Sequence, residues 1–256
     1  MNMVERRRAI LSILEAQAEA GTSGLSRRFD VSEMTIRRDL TALEAQGLVQ
    51  RTHGGVVLGH TAGAEPRYLA KQKVNATLKA RIARYAAERL VNDGDILLME
   101  GGTTVTAMAQ SLRGKRDLTV VTNGLYTAHE LSYLLPEVTV LCTGGVLRDT
   151  SFTFVGPTAE AFFESFRGDK LFVSATGLSL EHGFTDPNPI EAAVRARMQE
   201  AAREVVALID STKFGLTSLV QTAPADGVNV VVTDAGAPRE TLRELAQLGV
   251  EVHVVD

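Results

Sequence analysis

Apolar residues recur at helical spacing through residues 31–43, V-S-E-M-T-I-R-R-D-L-T-A-L. At ~100° per residue, Ile36, Leu40 and Leu43 share one stripe, and Met34, Arg38 and Thr41 point to the opposite side. Thr35 and Arg37 lie on the flanks. Ser32 is placed to cap the first turn, its hydroxyl accepting from a free backbone N–H. The pattern predicts a helix that packs on its back and offers a thioether, hydroxyls and two adjacent guanidinium groups on its front.

The flanking pattern gives this helix a context. Residues 6–18 are helical, with Ile10, Leu11, Ile13 and Leu14 as the apolar side. Residues 25–29 form a short second helix, and Asp30-Val31 turns the chain into Ser32. Helix, helix, tight turn, helix is the order of a helix-turn-helix unit whose last helix enters the major groove. Beyond it, apolar runs at 49–51 and 56–58 flank Thr52-His53-Gly54-Gly55 and predict a hairpin, the wing of a winged helix.

From residue 95 the period changes. Short apolar runs at 96–99, 118–121, 138–141, 171–175, 205–209, 228–232 and 250–255 predict strands. Helical segments at 105–112, 125–135, 157–166, 189–202 and 239–248 alternate with most of them, and another covers 78–91. Such alternation implies a mostly parallel sheet covered on both faces. The chain is therefore expected to be α/β overall. A winged helix-turn-helix domain would occupy 1–58, a polar connector broken by Gly59, Gly63 and Pro66 would occupy 59–77, and an α/β domain 78–256.

Composition narrows the class. Hydrophobic residues make up 45% of the 256, enough for sizeable cores. No run approaches the ~18 continuous apolar residues of a membrane helix. Glu15, Gln17 and Glu19 interrupt any signal segment behind the first arginines, so a cytoplasmic protein is expected, with no membrane partner. The single cysteine, Cys142, excludes an internal disulfide and reads as core at the end of a buried strand. His129, His182 and His253 show no metal spacing, and no metal or cofactor is expected.

A net charge of −4 looks unfavourable for nucleic acid, but the two parts differ. Residues 1–59 hold eight arginines against seven acidic residues, and the remainder 19 basic against 24 acidic. DNA affinity would then come from local clusters, Arg6-Arg7-Arg8, Arg27-Arg28 and Arg37-Arg38, contacting phosphates in a salt-dependent way. A modestly charged half-site module usually needs a partner subunit, so a homodimer or homotetramer on double-stranded operator DNA is expected.

V-S-E-M-T-I-R-R-D-L, followed by L-E-A-Q-G-L-V-Q-R-T-H-G-G, resembles the DNA-binding half of the DeoR/GlpR family of bacterial sugar-metabolism regulators. The expected DNA-contacting set is Arg27, Ser32, Met34, Thr35, Arg37, Arg38 and Thr41, with the wing residue His53 either reaching the DNA backbone or minor groove or serving only as a turn histidine. A departure is Gly21-Thr22-Ser23-Gly24-Leu25. Glycine costs ~1 kcal/mol of helix stability relative to alanine, so the second helix is expected to be short, with Thr22 or Ser23 as its cap.

Ligands of parallel sheets sit at the carboxyl ends of strands. There Met99-Glu100-Gly101-Gly102-Thr103-Thr104 leads from strand to helix, with glycines for close approach, hydroxyls and free N–H groups suited to an anion. The alternative is a turn with capping threonines. The loop lacks the spacing and lysine of a nucleotide triphosphate site. Thr122-Asn123-Gly124, Thr143-Gly144-Gly145 with Arg148, and Asp210-Ser211-Thr212-Lys213 follow other strands. This half resembles the family's effector domain, itself similar to ribose-5-phosphate isomerase and CoA-transferase folds. The resemblance implies a phosphorylated-sugar site of Glu100, Gly102, Thr103, Thr104, Thr122, Asn123, Gly144, Gly145, Arg148 and Lys213.

The isomerase-like Gly-Ala-Asp-x-x-Asp appears as Ser174-Ala175-Thr176-Gly177-Leu178-Ser179, hydroxyls replacing both carboxylates. The relatives' lysine after Glu191 is Arg195. Proton abstraction beside a carbonyl needs a positioned base, which neither Thr nor Ser supplies. Asp186 and Glu191 flank a loop within reach of a sugar hydroxyl or in a structural role. The expected function is a non-enzymatic DNA-binding regulator, a repressor of a carbohydrate operon controlled by a sugar phosphate. The alternatives are a sugar-phosphate isomerase or deaminase with an appended DNA-binding segment, and a protein whose basic helix binds an acidic protein.

Overall fold

A computed structural model describes residues 3–17, 19–45, 49–51, 55–58 and 65–256. It divides into two compact units, Met1–Val74 and Asn75–Asp256.

The first unit runs α1 (Met3–Gln17), β1 (Glu19–Gly21), α2 (Thr22–Phe29), α3 (Glu33–Ala45), β2 (Val49–Arg51), β3 (Gly55–Leu58) and α4 (Tyr68–Lys73). One core holds it together: Ile10, Ile13 and Leu14 of α1, Leu25 of α2, Ile36, Leu40 and Leu43 of α3, and Val49 and Val56 of the hairpin. The apolar stripes of the sequence are thus the faces that meet. The α2–α3 turn is built on Asp30, whose φ of 52° is left-handed. Around it the Val31 N–H donates to Ser26 O at 3.2 Å, and the Ser26 hydroxyl donates to Val31 O at 2.6 Å. Ser32 caps α3 as expected, its Oγ accepting from the Thr35 N–H at 3.2 Å.

Three features differ from the sequence reading. Helix α2 has eight residues and starts at Thr22 with Gly21 as its cap, without a side-chain cap bond. Gly24 lies in open space, so its flexibility is tolerated inside a helix anchored by Leu25. The hairpin also gains a third strand. β1 pairs antiparallel with β3, Ala20 opposite Val56, giving the order β1-β3-β2. A Cβ on Gly55 would come within 2.6 Å of Ala20 O, so this pairing requires a glycine there. The wing turn with His53 lies outside the described residues. Helix α4 occupies part of the segment read as connector.

The second unit runs α5 (Ala76–Leu90), β4 (Ile96–Met99), α6 (Thr103–Met108) with a 3-10 turn (Ala109–Leu112), β5 (Leu118–Thr122), α7 (Leu125–Ser132), β6 (Val138–Cys142), β7 (Val146–Leu147), β8 (Phe154–Val155), α8 (Pro157–Glu164), β9 (Gly168–Val173), β10 (Gly177–Ser179), β11 (Gly183–Asp186), α9 (Pro189–Glu200), β12 (Ala202–Leu208), a 3-10 turn (Ser211–Lys213), β13 (Val220–Ala223), β14 (Val230–Asp234), α10 (Arg239–Gln247) and β15 (Glu251–Val255). Seven strands form one parallel sheet in the order β15-β14-β12-β9-β4-β5-β6.

Side chains alternate between its faces. Leu97, Met99, Val120, Phe172, Val206 and Leu208 face a core closed by α5, α6 and α7. Leu98, Val121, Leu171, Val173 and Ala207 face a core closed by α8, α9 and α10. The chain lays β4, β5 and β6 outward in one direction, then returns to put β9 against the other side of β4. The strand order therefore reverses between β4 and β9, where open α/β sheets receive ligands.

The hairpin β7–β8 and the antiparallel sheet β10-β11-β13 are additions to the sequence reading. Cys142 corrects it: the residue is exposed, because it ends β6, the edge strand of the sheet, rather than an interior one. No helix among the described residues is long and apolar enough to cross a membrane.

Candidate DNA interface and effector site

Helix α3 buries Ile36, Leu40 and Leu43 and exposes Met34, Arg37, Arg38 and Thr41. Met34 is 61% exposed on that face. Arg37 approaches Glu33 at 3.9 Å on the exposed face, a contact too solvated to hold it in place. The Thr41 hydroxyl donates to Arg37 O at 2.9 Å, and the Ser32 and Thr35 hydroxyls lie 2.9 Å apart at the cap. Arg27 and Arg28 are exposed at the end of α2.

Arg6 and Arg7 correct the count of phosphate-facing charges. Arg6 Nε donates to Asp39 Oδ2 at 2.6 Å and Arg7 Nε to Asp39 Oδ1 at 2.9 Å. Asp39 is 2% exposed on α3, so this pair of bonds clamps α1 to the back of the recognition helix. Arg8 is exposed and remains part of a basic surface. The contact spans more than thirty residues, so no local pattern announces it.

At the β4/β9 switch point the organising side chain is Glu100, buried directly after β4. Its Oε2 accepts from the Gly102 N–H at 3.2 Å and from the Ser174 N–H, just past β9, at 3.4 Å. Its Oε1 accepts from Arg195 Nη2 at 2.8 Å. Arg195 Nη1 donates to Asp186 Oδ2, and Asp186 Oδ1 accepts from the Thr176 N–H at 3.0 Å and hydroxyl at 2.8 Å. A buried arginine thus sits between two buried carboxylates, and Thr176, in place of a carboxylate, supports one of them. Arg195 Nε is buried without a hydrogen-bond partner among the described residues. Sequence reasoning missed this triad, although Arg195 lies between Val194 and Met198 on the buried face of α9.

A second cluster adjoins the first. Arg148 Nη1 lies 2.8 Å from Glu191 Oε1, which also accepts from the Thr153 hydroxyl at 2.6 Å. The Gly101 N–H donates to Asn123 Oδ1 at 3.1 Å, and Asn123 Nδ2 donates to Phe154 O at 3.4 Å. A Cβ on Gly101 would fall 2.5 Å from Thr153 Cγ2 and 2.9 Å from Gly124 Cα, so the two loops need glycine to meet. Thr122 is fully buried and its hydroxyl accepts from the Gly124 N–H at 3.0 Å. Thr122 and Asn123 therefore hold the loops to one another.

The remaining sequence-derived positions sort by exposure. Thr104 is buried, while Gly102 and Thr103 are half-buried at the start of α6. Gly144 and Gly145 turn the chain through φ of 66° and 110°, and a Cβ on Gly145 would lie 2.7 Å from Val155 O. Half-buried Lys213 closes the turn after β12, its N–H donating to Asp210 O at 3.0 Å.

Family models match both units: a DeoR-like helix-turn-helix domain over residues 6–62 and a DeoR C-terminal sensor domain over residues 74–235. The chain belongs to the DeoR family. Relatives in that family span nearly its whole length. A putative aga operon transcriptional repressor of Escherichia coli O157:H7 is 34% identical over 254 residues, covering 98% of this chain and 93% of the relative. The transcriptional regulator GlpR of Haloferax volcanii is 36% identical over 248 residues, 97% and 96% of the two chains. Likeness to solved structures is slight. The ribose 5-phosphate isomerase A of Methanocaldococcus jannaschii aligns over 55% of each chain at 15% identity and a TM-score of 0.40. The chain is thus a DeoR-family DNA-binding transcriptional regulator, its helix-turn-helix in the first unit and its sensor domain in the second.

Proposed function

We propose that this regulator represses a carbohydrate-use operon in the cytoplasm, and that a phosphorylated sugar in the sensor unit sets its operator affinity. Arg38, Arg37, Thr35 and Met34 face the major groove, with Arg27, Ser32, Thr41 and His53 completing the interface. The protein acts as a homodimer or homotetramer, because one recognition helix reads one half-site and paired operators mirror protein symmetry.

The observation that carries the sensor reading is the position of Glu100, which joins the ends of β4 and β9 where the sheet order reverses. A sugar placed there meets carboxylate acceptors for its hydroxyls. The Thr103 and Thr104 backbone N–H groups and the Thr103 hydroxyl supply donors to phosphate oxygens, the Gly102 N–H being held by Glu100. Lys213 adds positive charge after β12, and Arg148, balanced by Glu191, can turn a guanidinium N–H toward the ligand. Glu100, Asp186 and Glu191 are each bonded to an arginine, the arrangement of a charge-balanced framework rather than of a general base awaiting substrate. Relatives named as repressors support the direction of regulation.

Thermal denaturation across phosphorylated sugars and their free counterparts tests the sensor reading. A ligand at ~100 times its dissociation constant stabilises the native state by ~2.7 kcal/mol. A shift with one sugar phosphate and none with its free sugar is expected. Equal melting with every phosphorylated sugar would overturn the assignment of ligand class.

A further inference from the structure

Asn75 follows Val74 directly and is the first residue of the sensor unit. Its φ of 54° and ψ of 31° are left-handed, a conformation that asparagine tolerates better than most side chains. Its backbone O accepts from the Lys79 N–H at 3.0 Å, which starts α5. Its side chain reaches across 135 residues of sequence: Nδ2 donates to Asp210 Oδ1 at 3.3 Å and to Thr212 Oγ1 at 3.3 Å.

Those acceptors belong to the turn that carries Lys213. Asp210 is 1% exposed, and its Oδ1 also accepts from the Thr212 N–H at 3.2 Å and from the Thr212 hydroxyl. The Lys213 N–H donates to Asp210 O at 3.0 Å. The Ser211 N–H donates to Asp234 Oδ1 at 2.7 Å, and Asp234 Oδ2 accepts from the Gly236 N–H at 3.1 Å. The turn is thus braced on β14 from one side and bonded to Asn75 from the other. A displacement of the turn must stretch the Asn75 bonds or move the residue where the chain enters the sensor unit.

We infer that Asn75 is a coupling residue, a latch through which a ligand engaging the Asp210–Lys213 turn alters how firmly the chain entering the sensor unit is held. The inference rests on the sugar-phosphate reading for its ligand and on the Asn75 geometry for its path. Asparagine suits both demands, since it accepts the left-handed backbone and supplies the donor. Glycine meets the first demand alone, so N75G keeps the backbone and removes both side-chain bonds. T212V removes one acceptor and serves as the second variant.

The full-length wild type, N75G and T212V are compared on a duplex that the wild type selects from a random pool. Ribose 5-phosphate, a hexosamine 6-phosphate and their free sugars are the probes. Where a probe raises the wild-type melting temperature, it is expected to change wild-type operator affinity by about 5- to 150-fold, the usual range of allosteric coupling. N75G should show the same thermal shift with the probe and a change in operator affinity of less than about 5-fold, below the usual range of such coupling, and T212V should fall between. An equal affinity change in N75G and wild type overturns the latch and leaves the sugar-phosphate reading standing.

If no probe shifts the wild type, that reading fails for these ligands and the latch is decided on the ligand-free protein. Hydrogen exchange should then be about tenfold faster for amides of residues 65–78 in N75G, with the sheet strands unchanged, as expected of a locally opened segment. Equal exchange in the two proteins overturns the latch.

Discussion

Arg38→Ala is expected to weaken operator binding by about 5- to 150-fold, the effect of losing one well-made base contact worth ~1–3 kcal/mol. The structure explains why this variant should be clean. Arg38 is exposed on α3 and lies on the opposite side from Ile36, Leu40 and Leu43, so truncation leaves the core intact. The thermal shift caused by a sugar phosphate should be unchanged, because that ligand is assigned to the other unit. The neighbouring Asp39 is the contrasting case. It has the same helix and nearly the same sequence context, but it is committed to Arg6 and Arg7 on the buried side. Fluorescence anisotropy with a labelled operator, together with thermal melts, separates the two behaviours. Equal operator affinity in Arg38→Ala and wild type would remove Arg38 from the interface.

Arg195→Ala is expected to destabilise the sensor unit by about 3–5 kcal/mol, since it leaves Glu100 and Asp186 as uncompensated buried charges. In a unit of this size each kcal/mol lowers the melting temperature by roughly 2–4 °C, so a loss of ten degrees is within range. Their backbone partners, the Gly102, Ser174 and Thr176 N–H groups, remain and set the lower end of the estimate. Arg195→Lys should lie in between: an ammonium keeps the charge but not the planar fork that reaches both carboxylates. Differential scanning calorimetry of the full chain is the measurement. A melting temperature within a degree of wild type for Arg195→Ala would show that the triad contributes little.

The parts of the fold that were legible in sequence share one property: their signal is local and periodic. The capped start at Ser32 and the Ile36, Leu40 and Leu43 stripe define α3 without any tertiary information, and the runs at Leu97-Leu98-Met99 or Val205 to Leu208 announce interior strands. β1 is three residues long with no alternation, and it becomes a strand because Gly55 lets β3 approach Ala20. β10 and β11 form a short hairpin, Gly177 opposite Thr185 and Ser179 opposite Gly183, whose glycines and hydroxyls mask any alternation, and β11 is completed only by the distant Val220 to Ala223 strand. The exposure of Cys142 is not legible in sequence because an apolar run does not say whether its strand is interior or at an edge.

The candidate site was legible by loop and not by bond. Placing ligand positions at strand ends follows from parallel topology, and Glu100, Gly102 and Thr103 do lie at the switch point. Which side chains are spent on the protein itself is a long-range property. Thr122 and Asn123 hold neighbouring loops, Arg148 pairs with Glu191, and Arg6 and Arg7 close on Asp39. Arg6, Arg7 and Arg148 have carboxylate partners that counting charges along the chain cannot reveal, whereas Arg8, Arg27, Arg28 and Arg38 stay exposed as read.

On the proposed function, one chain joins operator recognition to sugar-phosphate sensing. The most direct measurement is the affinity of the full-length wild type for its selected duplex, and for a scrambled duplex, titrated with a sugar phosphate that raises its melting temperature. Preference for the selected duplex, and a 5- to 150-fold change in that affinity with the sugar phosphate but not with the free sugar, is the predicted result. Equal affinity for both duplexes, or an operator affinity indifferent to saturating ligand, would contradict it.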